Sequence, residues 1–177
     1  MKFPRLFCVG LVAVRLAAAP APSPYAGEST RTIKALSEAE ISGLTAGRGL
    51  GLARAAELNS YPGPMHVLDL ADELQLTPAQ RADLDRVVEA MRSAAIALGR
   101  QVIDREAELD RLFAGRTATP ESVAAATAAI GELQGRLRAT HLNAHVATAR
   151  VLTAAQITQY NRLRGYPAAD RSAASHD

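Results

Sequence analysis

The chain has 177 residues, of which 48% are hydrophobic, and its aromatic residues are four tyrosines and three phenylalanines with no tryptophan. So few large side chains argue against a compact β-sandwich or barrel and favour thin helical packing built on alanine and leucine. The formal net charge is +2, and three of the cations are Lys2, Arg5 and Arg15. Without them the charge is −1, which is not typical of a nucleic-acid-binding protein.

Residues 1–26 are typical of a signal peptide, with the basic start MKFPR, the apolar stretch LFCVGLVAV and a tail rich in small residues. The apolar stretch is too short to cross a bilayer of about 30 Å, so no stable membrane insertion is expected. Cleavage is expected between Ala19 and Gly27. A buried helix over residues 6–19 is the alternative. Cleavage removes Cys8, so the exported chain has no thiol, which suits a periplasmic protein without disulfides.

The next segment, residues 27–36, is predicted to be a flexible linker because proline, serine and threonine are frequent in and just before it. A helical domain is predicted over residues 37–166 and a disordered tail over residues 167–177. The domain begins with SEAE, in which Ser37 and Glu40 form a capping box.

Four glycines then follow within nine residues, and they indicate a bend or a close backbone contact. They are Gly43, Gly47, Gly49 and Gly51. No strand precedes them and no Lys-Ser/Thr pair follows, so they do not form an ATP-binding phosphate loop. The turn YPGP follows at 61–64, and a short helix is predicted from Met65 to about Leu74.

A long helix is predicted over residues 78–114, where the chain has no proline after Pro78 and one glycine. Apolar residues recur along it in steps of four and three, which indicates packing along a second helix. The members of this stripe are Leu84, Val88, Met91, Ala95, Leu98, Val102, Leu109 and Leu112, and Arg105 falls on it. After a break at Gly115, a partner helix is predicted from Pro120 to about Arg150, so the two form an antiparallel hairpin.

Two similar pentads flank this hairpin, LTPAQ at 76–80 and LTAAQ at 152–156. Each predicts a capped helix start, in which a threonine accepts a backbone N–H and a glutamine three residues later accepts the N–H of that threonine. The residues concerned are Leu76, Thr77, Gln80, Leu152, Thr153 and Gln156. The second pentad begins a last helix, 154–164. Both pentads are expected to lie close together at the open end of a bent hairpin.

The paired LTxxQ pentads on an exported, alanine-rich helical chain resemble the Spy/CpxP-like periplasmic proteins, which include heavy-metal-resistance sensors. The resemblance covers about 65–166 and is strongest at LQLTPAQR and VLTAAQITQYNRLRGY. It implies an all-α, cradle-like homodimer. Its members include ATP-independent chaperones, inhibitors of an envelope-stress sensor kinase and metal-binding proteins, so the fold alone does not decide the function.

A client-binding surface is predicted where apolar residues lie off the helix–helix stripe and arginines lie beside them. Its members are Ile96, Ile103, Leu142, Val146, Arg92, Arg100, Arg136 and Arg138. Unfolded proteins are the expected partners. The alternative is that the same residues form a dimer interface.

A transition-metal site is the other candidate, because His141 and His145 lie four residues apart on one helical face. His66 and Met65 are expected near the same end of the hairpin, and this ligand set suits zinc, nickel or copper. The alternative is two hydrogen-bonded or solvated histidines. The His-x-x-x-His spacing also resembles the metal sensors of the family.

No catalytic site is predicted, because the acidic and basic residues fall at helical i, i+4 spacings such as Arg81/Asp85 and Arg100/Asp104. The sequence therefore favours a periplasmic, ATP-independent chaperone or envelope-stress accessory protein that needs no cofactor. A heavy-metal-binding sensor or resistance protein is the alternative.

Overall fold

The computed structural model describes residues 22–166, in a chain that divides into two compact units, residues 1–30 and 31–177. In the first unit the described part contains a 3₁₀ turn at Ala26–Glu28. Most of the predicted signal peptide and all of the predicted tail lie outside the described residues.

Residues 31–166 form α-helices joined by turns, and no strand occurs among the described residues. The helices are α1 (Glu38–Thr45), α2 (Arg54–Glu57), α3 (Pro64–Asp69), α4 (Pro78–Ala114), α5 (Pro120–Val151) and α6 (Ala154–Leu163). The predicted all-α fold is confirmed. The short helix α2 was not predicted, and α3 ends earlier than the predicted Leu74.

Capping residues fix where the main helices begin. A complete capping box opens each of α1, α4, α5 and α6. The four pairs are Ser37 with Glu40, Thr77 with Gln80, Thr119 with Ser122, and Thr153 with Gln156. In each of these boxes both reciprocal hydrogen bonds are made, so the first turn leaves fewer N–H groups without a partner.

Helices α4 and α5 pack along each other as the predicted hairpin. With 37 residues, α4 is about 55 Å long at 1.5 Å per residue. The turn between them reverses at Arg116, which has φ 54°, whereas Gly115 keeps a right-handed conformation at φ −80°.

A first apolar cluster, here called the mid-hairpin cluster, lies halfway along the hairpin. Its buried members are Leu44, Ala95, Leu98, Val102, Leu133 and Leu137. Beyond it the buried position on α4 is Glu106, at 9% exposed, whereas Arg105 is exposed and pairs with Glu108 at 2.6 Å. The stripe was predicted to pass through Arg105, and this is wrong. It passes through Glu106 instead, because the buried positions advance by four residues twice, from Leu98 to Val102 and from Val102 to Glu106, and so follow the 3.6-residue period of the helix.

Residues 31–63, here called the arm, add a second layer on the hairpin. Helix α1 packs on α4, and α2 packs on α5. At the α1–α4 crossing a Cβ added to Gly99 would lie 2.4 Å from the Leu44 carbonyl oxygen, so only glycine permits this approach. Ile33 is buried, and the N–H of Lys34 donates to Asp110 Oδ1 at 3.2 Å. The arm therefore covers part of the hairpin surface for which the periodicity of the sequence predicted no packing partner.

A second apolar cluster, the motif-end cluster, lies where both pentads meet. Its buried members are Val67, Ala71, Leu74, Leu76, Leu84, Leu152 and Tyr160. The leucine that leads each pentad, Leu76 or Leu152, belongs to it. None of the helices within residues 22–166 combines the length and apolar character that a membrane crossing needs.

Candidate functional site

The two pentad glutamines bind each other through their side-chain amides. Gln80 Nε2 donates to Gln156 Oε1 at 2.9 Å, and Gln156 Nε2 donates to Gln80 Oε1 at 3.1 Å. The two amides therefore form a closed pair between residues 76 positions apart. The prediction that the pentads lie near each other is confirmed, and this pair is the contact that joins them.

The remaining polar groups of this amide pair are also satisfied. Gln80 Nε2 donates to the Val151 carbonyl at 3.0 Å, and Gln156 Nε2 donates to the Leu74 carbonyl at 3.2 Å. The oxygen of each glutamine also accepts the N–H of its own capping threonine. Each glutamine thus caps its own helix and ties that helix to the chain just before the other pentad. Both side chains are partly buried, where an unmade hydrogen bond costs more than at the surface.

Glu57, at the end of α2, joins the arm to α6. Its Oε1 accepts hydrogen bonds from Tyr160 Oη at 2.5 Å and from Tyr166 Oη at 3.1 Å. Its Oε2 accepts from the Gly63 N–H at 3.1 Å. Burial and the Glu57 carboxylate both raise the pKa of Tyr160, so this hydroxyl remains a donor. Nothing in the local sequence around Glu57 indicates these partners, because Tyr160 is 103 residues away.

His145 belongs to the same network. Its Nδ1 lies 2.7 Å from the Tyr61 carbonyl oxygen and 3.6 Å from Glu57 Oε2. A carbonyl oxygen only accepts, so Nδ1 is the donor in this contact and carries a proton. A Cβ added at Gly63 would lie 3.3 Å from Nε2, so the turn before α3 passes close to that nitrogen.

His141 lies one turn before His145 and is 3% exposed. Its Nε2 is buried and has no hydrogen-bond partner among the described residues. Burial, and secondarily the neighbouring charge of His145, lower the pKa of His141, which therefore stays neutral at neutral pH. A neutral imidazole is the form that binds metals.

The other two predicted ligands lie on α3 at the surface. Met65 is 57% exposed, and His66 Nδ1 lies 3.7 Å from Asp69 Oδ2. Within residues 22–166 no group of three or more histidine, cysteine, aspartate or glutamate side chains is placed to hold a metal ion. A metal site at His141 and His145 therefore stays a prediction.

The predicted client-binding residues divide into half-buried apolar and exposed basic side chains. The half-buried ones are Ile96, Ile103, Leu142 and Val146, and the exposed ones are Arg92, Arg100, Arg136 and Arg138. The arm reaches two of the apolar members. Ile103 packs on the mid-hairpin cluster, and a Cβ added at Gly47 would lie 3.0 Å from Ile96 Cγ1. These residues stay a predicted client-binding surface.

The ion pairs of the helices differ in part from those expected at i, i+4. Arg81 pairs with Asp72 at 2.6 Å rather than with Asp85. Arg136 lies 3.9 Å from Glu132, and both side chains are more than half exposed. Exposed pairs of this kind stabilise a fold by at most about 1 kcal/mol, so they need no functional explanation.

A family model described as LTXXQ motif family protein matches residues 64–164. The matched segment runs from the start of α3 to the residue after α6, and so it includes both pentads and the whole hairpin. The match confirms the resemblance that the pentads indicated. No curated protein and no solved structure matches the chain.

Proposed function

The chain belongs to the LTXXQ motif family, and we propose from this premise that it is a periplasmic, ATP-independent chaperone or envelope-stress accessory protein. The family is Spy/CpxP-like, generally periplasmic and generally non-enzymatic. We propose unfolded periplasmic proteins or an envelope-stress sensor kinase as partners, and a homodimer as the assembly.

The observation that carries the chaperone proposal is the mixed character of the hairpin surface. The hairpin carries exposed guanidinium groups, such as those of Arg92 and Arg136, and aliphatic side chains that are only half covered, such as Leu142 and Val146. Apolar contact combined with long-range charge attraction suits weak, reversible binding of many unfolded chains, because neither requires a fixed partner shape.

The test is suppression of aggregation without ATP. A dehydrogenase denatured in guanidinium is diluted into buffer containing the mature protein, and light scattering is followed. We expect Leu142→Glu and Val146→Glu to reduce suppression several-fold, because an apolar segment that covers the new carboxylate must remove its water, which costs free energy. Ala139→Glu, which adds the same charge at an exposed position of α5, is the matched control. Unchanged suppression by both variants, with oligomeric state and helix content intact, would contradict the proposal.

A heavy-metal-binding sensor or resistance protein is the second candidate. His141 favours it, because its buried Nε2 has no hydrogen-bond partner in the described part of the chain and lies one helical turn from His145. Titration calorimetry with Zn²⁺, Ni²⁺ and Cu²⁺ separates the two candidates. If metal binding is the function, His141→Ala with His145→Ala abolishes stoichiometric binding and leaves aggregation suppression unchanged.

A further inference from the structure

Two adjoining grooves lie between the arm and α5, with volumes of about 480 and 550 Å³. They share Leu50, Leu52 and Arg138 among their lining residues, and we call the combined depression the Leu50 groove. We propose that it binds a short apolar segment of an unfolded protein that carries a carboxylate. This inference rests on the proposed chaperone function. It adds a second contact site for the client, which shares Arg138 with the predicted client-binding surface, and it names the chemical class of client.

Leu50 is held in a conformation that leucine rarely adopts. Its φ is 45°, in the left-handed region, and its side chain is 49% exposed. A Cβ added at Gly43 would lie 2.6 Å from Leu50 Cδ2, so the leucine packs directly over that glycine. A left-handed backbone is strained for a residue with a side chain, and glycine or asparagine is the usual residue there. Here that conformation presents an apolar side chain to both parts of the groove.

The wall of the groove on α5 is open because it contains two glycines one turn apart. Gly131 and Gly135 lie inside the helix, and a Cβ on either would meet nothing within 4 Å. Close packing of the arm does not require glycine at either position, because a Cβ there would touch no atom of the arm. Glycines inside a helix lower its stability. At these two positions the missing side chains leave room for a ligand to approach the α5 backbone.

The charges of the groove favour an anionic ligand. Arg54 and Arg138 both line it, and neither guanidinium has an acidic partner among the described residues. The one carboxylate in the lining is Glu40, which accepts hydrogen bonds from Ser37, and these lower the pKa of Glu40. Two guanidinium groups that no described carboxylate pairs with, beside exposed leucines, match a carboxylate next to apolar side chains.

The test uses the full mature chain and fluorescein-labelled octapeptides of leucine and valine, measured by fluorescence anisotropy. One peptide carries an aspartate and a free carboxyl terminus, and the other has asparagine and a terminal amide. We expect the acidic peptide to bind at least three-fold tighter, with the difference lost at 0.5 M salt because screening weakens the charge term. Equal binding of both peptides at low salt would overturn the proposal.

Three substitutions locate the binding. Gly135→Leu fills the groove at a site with open space, so it should abolish peptide binding without lowering the unfolding temperature. Arg138→Gln should weaken the acidic peptide several-fold and leave the neutral one unchanged, whereas Arg150→Gln, an exposed arginine on the same helix, is the matched control. Leu50→Asn keeps a residue that tolerates positive φ and should weaken both peptides.

The outcomes separate this inference from the proposed function. If Gly135→Leu binds the acidic peptide normally, the groove is not the site, whatever the chaperone assay shows. If the peptide binds in the groove and no client is protected from aggregation, the chaperone function fails and the groove assignment remains. If laurate displaces the acidic peptide and itself binds at least ten-fold tighter, the ligand is an anionic amphiphile and the peptide assignment is wrong.

Discussion

His141 is the residue whose protonation the fold opposes most clearly. It is buried, its Nε2 has no hydrogen-bond partner within residues 22–166, and burial followed by the charge of His145 lowers its pKa. Because the folded state disfavours the charged ring, the unfolded state binds more protons below the ordinary histidine pKa of about 6.5. The free energy of unfolding therefore decreases as the pH falls below that value, by at most about 1.4 kcal/mol per pH unit for one proton.

We predict that His141→Gln reduces this pH dependence between pH 7.5 and pH 5. Urea unfolding at several pH values measures the free energy, and the variant should lose less stability on acidification than the wild type. His66→Gln, the same exchange at an exposed histidine, is the control. Equal slopes for wild type and His141→Gln would show that folding does not change how strongly this ring binds a proton.

At the scale of elements, the amide pair of Gln80 and Gln156 couples two helix starts. Each amide oxygen accepts its own cap N–H, and each amide nitrogen donates to the glutamine of the other pentad and to a carbonyl just before that pentad. A glutamate in place of Gln80 would still accept the cap N–H, because Ser/Thr with Glu is an ordinary capping box. It would lose both donors and place a carboxylate against two acceptor oxygens. The substitution therefore separates capping from pairing.

We predict that Gln80→Glu destabilises the fold by about 2–3 kcal/mol, and that Gln80→Ala and Gln156→Ala each cost about 1–3 kcal/mol. The double alanine variant should cost less than the sum, because the second removal leaves no further unpaired amide. Glu40→Gln, the reverse exchange in a capping box outside the pair, should change stability by less than about 0.5 kcal/mol, the usual range for surface positions. Additive single effects would argue against coupling.

The helices themselves follow from local signals in the sequence. The capping boxes and the proline positions predicted where α1, α4 and α6 begin to within a residue, since the relevant atoms lie within three positions of each other. The amide pair was expected only as proximity of the pentads. Its hydrogen bonds depend on the crossing of two chain segments, which no local pattern records.

At the scale of the whole described unit, the arm is the feature that the sequence revealed least. Periodicity locates the stripe that faces one partner helix, and Ile96 and Ile103 were assigned to an open surface because they lie off that stripe. In the structure the arm supplies a second partner. The four glycines predicted a close contact near this position, but their own spacing could not identify Gly99 as the opposite side of it.

We predict that Gly99→Ala displaces α1 and lowers the free energy of unfolding by about 1–3 kcal/mol, because the new Cβ would lie 2.4 Å from a backbone oxygen that cannot rotate away. Thermal unfolding measures the loss, and limited proteolysis should show earlier cleavage within residues 31–63. Gly131→Ala is the matched control on α5. Its Cβ meets nothing, so the substitution should stabilise the helix by up to about 1 kcal/mol. Similar unfolding temperatures for both variants would contradict close α1–α4 packing.

The closed amide pair also sets an order of events during folding. Its two halves are 76 residues apart, and bringing them together directly would cost the entropy of closing a long flexible loop. Pairing of α5 with α4 that begins at the turn at Arg116 and continues along both helices requires only short loop closures, one after another. We therefore expect the hydrogen bonds between the two glutamines to form last, when the pairing of α4 and α5 reaches the far end of the hairpin.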